Sequence, residues 1–63
     1  MMFRCVILIG REFEYHGPWH GEYTRARDNG RDANHVITRQ CNWPTNWFVQ
    51  DSEGRSHHTE PKA

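Results

Sequence analysis

The sequence carries no net charge: its 63 residues hold eight Lys or Arg against eight Asp or Glu. A chain without a global field is not drawn as a whole to nucleic acid or to an anionic membrane, so binding of that kind would have to come from a local patch. Long apolar runs are missing as well. The aliphatic stretch Val6-Ile7-Leu8-Ile9 is too short to cross a bilayer or to serve as the apolar centre of a secretion signal, and no small-residue cleavage site follows it. The five glycines are spaced as turn residues, with no G-x-G-x-x-G or P-loop pattern among them. Lysine is nearly absent, with seven of the eight basic residues being Arg, which suits planar, bidentate or stacked contacts. Cysteine is sparse: Cys5 and Cys41 would close a loop of about 36 residues if bridged, a contribution of roughly 3–4 kcal/mol that requires an oxidising compartment. With no leader pointing there, the protein is expected to be cytoplasmic with both thiols reduced.

What is present suits one small domain. A chain this short buries about 60% of the surface its unfolded form exposes, so its core is small. Three Trp, three Phe and two Tyr supply large area per residue and are expected to carry much of that core. Phe3 followed by Val6–Ile9 reads as a central strand stopped by Gly10. Glu12-Phe13-Glu14-Tyr15-His16 alternates polar and aromatic residues, the period of a half-buried strand with Phe13 and Tyr15 on the core face. Gly17-Pro18 breaks that strand and leaves Trp19 on a loop.

Asn29-Gly30 is a strong hairpin signal, because a type I′ turn needs positive φ at both central residues. Pairing outward from it sets Asp28 opposite Arg31, Arg27 opposite Asp32, Ala26 opposite Ala33 and Tyr23 opposite Val36, so charge meets opposite charge and apolar meets apolar. The second arm would run to about Gln40. A competing reading makes Asp32 a helix N-cap with Ala33, Val36, Ile37 and Cys41 at helical spacing; the β-branched run Val36-Ile37-Thr38 favours strand. Trp47-Phe48-Val49 reads as a return strand, and from Asp51 onward apolar residues all but vanish, the composition of a mobile tail. The expectation is therefore a mostly β domain over residues 1–50, a small antiparallel meander or SH3-like barrel, with a disordered tail over 51–63. The alternative is an α+β domain with a short helix near 32–41. Within Gly21-Glu22-Tyr23-Thr24-Arg25-Ala26-Arg27, the aromatic-x-Arg-Ala order resembles a strand of Tudor and related SH3-like barrels over those few residues.

Several constellations bear on chemistry. Cys5, His16, His20 and Cys41 form the donor set of a tetrahedral zinc site, but they lack the close cysteine pairs by which such sites take two thiolates from one turn. A zinc-stabilised mini-domain is therefore a second alternative, and no metal or cofactor is assigned. Cys41, His35 and Asp32 have the residue types of a nucleophile, base and orienting acid, but as a strand Cys41 and His35 would lie about 20 Å apart. Glu12 and Glu14 have no apolar pocket to separate their proton affinities. The protein is expected not to be an enzyme.

There remain Arg residues among aromatics, the chemistry of both protein hot spots and single-strand stacking. The expected function is a protein–protein interaction module with Arg25, Arg39, Trp43 and Trp47 at its contact surface. The alternative is a nucleic-acid-binding module using Trp19, Arg25, Arg27, Arg31 and Trp43.

Overall fold

A computed structural model describes residues 1–57. The apolar run forms β1 (Phe3–Ile9), which turns through Gly10 into β2 (Phe13–His16). An eighteen-residue helix, α1 (Tyr23–Gln40), carries the chain to β3 (Thr45–Asp51), and a short turn returns it as β4 (Ser56–His57). All pairings are antiparallel in the order β2-β1-β3-β4, so β1 lies inside the sheet and β2 and β4 form its edges. The described residues thus form a four-stranded antiparallel sheet with one helix, the small α+β arrangement.

The side chains of β1 alternate between two faces. Phe3, Cys5, Ile7 and Ile9 face α1, matched across the ladder by Asp51, Val49, Trp47 and Thr45. Val6 and Leu8, with Phe48 opposite Val6, lie on the outer face. Among the described residues the buried apolar core is small: Cys5, Val6, Ile7, Ala26 and Val49. Above the sheet, Tyr23, Ala26, Gly30, Ala33 and Ile37 follow one another at intervals of three and four residues, which sets them on one stripe of the helix. This stripe packs on β1 and β3, with Phe3 and Tyr23 meeting edge to face at 5.9 Å.

Gly30 is where helix and sheet come closest. A Cβ placed there would lie 2.5 Å from Trp47 Cε3 and 2.9 Å from Cys5 Cβ. Glycine inside a helix costs about 1 kcal/mol relative to alanine, and here it lets the Trp47 ring lie directly against the helix backbone. Asn29-Gly30 is therefore not the turn of a hairpin but the docking point of a helix. Burial of the stripe overrides the strand preference of Val36-Ile37-Thr38, of which Ile37 alone lies on the stripe and Val36 and Thr38 are exposed. The short helix near 32–41 of the alternative reading is present but starts at Tyr23. The likeness of Tyr23-Thr24-Arg25-Ala26 to a barrel strand accordingly has no counterpart in the fold.

Two further expectations change. After β2 the chain does not leave the sheet. Gly17 N–H donates to Cys5 O (2.9 Å), and His20 exchanges backbone hydrogen bonds with Phe3 (2.7 and 2.8 Å). Val6 faces His16 but Phe3 faces His20, so the β2 side carries one extra residue, a bulge at Gly17-Pro18-Trp19. Gly17 is required there, since a Cβ would lie 2.6 Å from Cys5 Sγ and 2.5 Å from Asn29 Oδ1. Of the tail expected from residue 51, the stretch through His57 is folded into the sheet, and residues 58–63 lie outside the described residues.

The Gly30 contact yields a direct test. Gly30→Ala gains about 1 kcal/mol of helix propensity but overpacks against Trp47 and Cys5, with a net loss on the order of 1–2 kcal/mol in urea unfolding. Trimming the ring with Trp47→Leu in the Gly30→Ala background should cost less than Trp47→Leu costs in the parent chain. A plain sum of the two losses would show that the residues do not meet.

Candidate interaction surface

Because α1 packs on β1 and β3, no helix among the described residues covers the inner face of β2. Phe13 and Tyr15 point to that face, opposite Ile9 and Ile7, yet they are 53% and 38% exposed. They were expected on the core side; they have the right face but no lid. Trp43, on the α1–β3 connection, stacks on Phe13 with ring centroids 5.5 Å apart and planes 13° apart, and Gly10 N–H ties the same connection to Pro44 O (2.8 Å). Trp43 remains 51% exposed and forms one wall of a cleft of about 360 Å³ with Gly10, Arg11, Glu12 and Pro44.

On the helix, Asn29 accepts a hydrogen bond from Cys5 Sγ (3.2 Å) beside Gly17, which fixes the side of α1 that faces β2. Val36, two turns further along that side, is 52% exposed, and with His35, Arg39 and Gln40 it lines a second cleft of about 370 Å³. Among the described residues, Phe13 and Trp43 thus form a stacked, half-exposed aromatic pair with Arg11 beside Trp43, while Val36 is an exposed apolar side chain beside Arg39.

The residues singled out from the sequence divide around these two features. Trp43 and Arg39 belong to them, Trp43 to the aromatic pair and Arg39 to the cleft at Val36. Trp47 does not, because its ring is wedged between β3 and Gly30. Arg25 sits in the first turn of α1, about 21 Å along the helix from Arg39, and pairs with Glu22 at 3.7 Å.

The basic residues of the nucleic-acid reading are also spread out. Arg27 lies 3.7 Å from Asp28, and Arg31 lies 3.5 Å from Asp28 and 3.8 Å from Asp32. Such exposed pairs add little stability, but they offset the positive charge of the helix locally. Trp19 lies on the outer face near the start of β1, its ring 4.5 Å from the Arg4 guanidinium, which also donates to Gln50 Oε1 at 3.0 and 3.2 Å. Trp43 stands near the other end of β1 on the inner face, so Trp19 and Trp43 share no surface.

The zinc set is separated for a related reason. Without the bulge, His16 and His20 would share a face; with it, His16 lies outside, bonded to Glu14 Oε1 at 2.9 Å, and His20 lies opposite inward-facing Phe3. Cys5 is buried against Asn29, while Cys41 caps α1 and donates its thiol to Ile37 O (3.4 Å). Both are free thiols. Burial pushes the Cys5 thiol above its ordinary value, against the hydrogen bonds that lower it. Asp32 pairs with Arg31 on the exposed helix surface, away from Cys41.

A polar cluster absent from the sequence expectations lies at the opposite corner. Asp51, only 2% exposed, accepts from the backbone N–H groups of Glu53 (2.9 Å) and Arg55 (3.0 Å) through Oδ1 and from His57 Nε2 (2.9 Å) through Oδ2. The His57 hydrogen bond does most to hold the Asp51 carboxyl below its ordinary value; burial opposes it, and the two backbone donors reinforce it. His57 in turn meets the rings of Phe3 and Tyr23 at 6.0 Å each. Here the carboxylate organises the β3–β4 turn.

No family model matches the chain, and no curated protein or solved structure shows significant similarity to it.

The Asp51 cluster has a pH signature. A carboxyl whose folded value lies below its unfolded value of 3.8 stabilises the fold above that pH and loses the contribution as pH falls through the folded value. Unfolding followed by denaturant from pH 6 to pH 2 should show stability falling below about pH 4. Asp51→Asn should be less stable than the parent at pH 6, with a shallower acid decline. Parallel pH profiles for the two proteins would contradict the assignment.

Proposed function

We propose that this protein is a small non-enzymatic protein-interaction module that engages its partner through Phe13, Val36 and Trp43, with Arg39 and Arg11 at the border. The observation that supports the reading is that three apolar side chains are each more than half exposed on elements held in place by the sheet and the helix, two of them, Phe13 and Trp43, stacked on each other. Exposed aromatics beside Arg are the residue types that dominate protein–protein binding energy, and rings fixed by stacking lose little freedom on binding. The bordering Arg residues suit a partner that offers an apolar anchor with a carboxylate next to it.

No helix among the described residues is long and apolar enough to cross a membrane. We place the protein in the cytoplasm, where free Cys5 and Cys41 stay reduced. The nucleic-acid alternative has less support, since Trp19 and Trp43 lie on different faces and Arg25, Arg27 and Arg31 each have an acidic neighbour.

Trp43→Ala should weaken capture of a cross-linked partner by about 2 kcal/mol or more while the amide NMR spectrum keeps its folded dispersion. Trp19→Ala, on the other face, should leave capture unchanged. Equal capture by both variants would remove the surface from consideration. Binding of a short single strand that falls steeply with added salt would replace the reading with the nucleic-acid one.

A further inference from the structure

We infer that β2 is a self-association edge, through which two copies pair antiparallel about a two-fold axis passing beside Tyr15. This goes beyond the partner surface and does not depend on it. β2 is an edge strand exposed along its whole length; it is short, carries Glu14 and is followed by a bulge, but it contains neither Lys nor Pro, so every backbone group on its free edge can still pair. The hydrogen bond from Gly17 N–H to Cys5 O sets the phase of the ladder. In that phase the backbone groups of Phe13 and Tyr15 point to β1, and those of Glu14 and His16 point to the free edge.

A symmetric pair with both helices on the same side sets residues of one face opposite each other, so the axis must pass beside a residue. An axis at Phe13 would put Glu12 on Glu14, and an axis at Glu14 would put that carboxylate on its own copy. With the axis at His16, each His16 meets the other, and Pro18, which has no N–H to donate, falls opposite Glu14. The Tyr15-centred register alone sets Glu14 opposite His16, and it does so twice. Within one copy these two side chains already meet at 2.9 Å, so the dimer would carry an alternating ring of two acids and two imidazoles on its outer face. Four backbone hydrogen bonds would join Glu14 to His16 across the axis. On the inner face the two Tyr15 rings, 38% exposed in the single chain, would cover each other at the closer, non-hydrogen-bonded position of the ladder. Two four-stranded sheets would then become one of eight strands.

Sedimentation of the unmodified chain across about 10–500 μM should show concentration-dependent dimer. Glu14→Lys should weaken association by about tenfold or more by facing Lys with His, as should His16→Glu by facing acid with acid. Both substitutions together should restore it. In a Cys41→Ser background, with Cys5 buried, Tyr15→Cys should form a disulfide-linked dimer on oxidation, because its two copies face each other. Phe13→Cys should not, because its copies would stand about 13 Å out of register. A chain that stays monomeric throughout the range overturns the inference, as does cross-linking at position 13 in preference to 15, or a double variant no better than the single ones. Partner capture and self-association are read separately, so each can fail alone.

Discussion

The fold hangs on the approach of a helix backbone to a sheet at Gly30. Trp47 is too large to share the space between α1 and the sheet with another side chain, and Gly30 gives it the one gap on the helical stripe. Cys5 completes the contact from β1, and its thiol reaches Asn29 where Gly17 also leaves room. Helix, central strand, return strand and bulge therefore converge within a few ångströms. Had residue 30 carried a Cβ, α1 would have to stand further off, and the enclosed set of Cys5, Ile7, Ala26 and Val49 would open to water.

That placement explains the distribution of exposed apolar surface. A single helix covers about two strands, and α1 takes β1 and β3. On the β2 side, Phe13 and Tyr15 keep the inward direction demanded by strand alternation but meet no helix above them. On the β4 side, aromatic packing of His57 with Phe3 and Tyr23, together with the Asp51 hydrogen bonds, closes the corner. Among the described residues, the inner face of the sheet is thus packed at the β4 corner and exposed along β2.

Much of this was legible in the sequence. The run from Val6 to Ile9 identified the central strand, the alternation at Phe13 and Tyr15 its neighbour, and Trp47-Phe48-Val49 the return. The α1 segment was not separable because its spacings satisfy two structures at once. Around a two-residue turn, cross-strand partners stand three and seven residues apart; on a helix, residues three and seven apart also share a face. Asp28 with Arg31 and Ala26 with Ala33 fit both. What favours the helix is the continuous stripe from Tyr23 to Ile37, in which Gly30 occupies a position a larger residue would fill. The bulge hid the faces of His16 and His20, since one extra residue reverses alternation without leaving a period to detect. Asp51 was obscured differently: a segment without apolar residues can be held by one carboxylate accepting three hydrogen bonds, and composition does not report that. For the surface, Trp43 and Arg39 were visible as an aromatic on a turn and an Arg outside the cross-strand charge pairs, whereas the exposure of Phe13 and Val36 depends on how wide the helix is compared with the sheet.

The position of β1 inside the sheet sets the order in which the chain can assemble. Its hairpin with β2 closes over a three-residue turn, and α1 forms from neighbours in sequence. The ladder with β3 joins residues as far apart as Phe3 and Asp51, so most of the described chain must be gathered before that ladder forms. Loop-closure entropy is concentrated in this one step. Asp51 both ends that long-range ladder and holds the β3–β4 turn, so β4 is anchored at the pairing of greatest sequence separation between β1 and β3. The loop-closure cost of the fold therefore lies in the meeting of β1 with β3 beneath the helix, whereas the two hairpins join near neighbours in sequence.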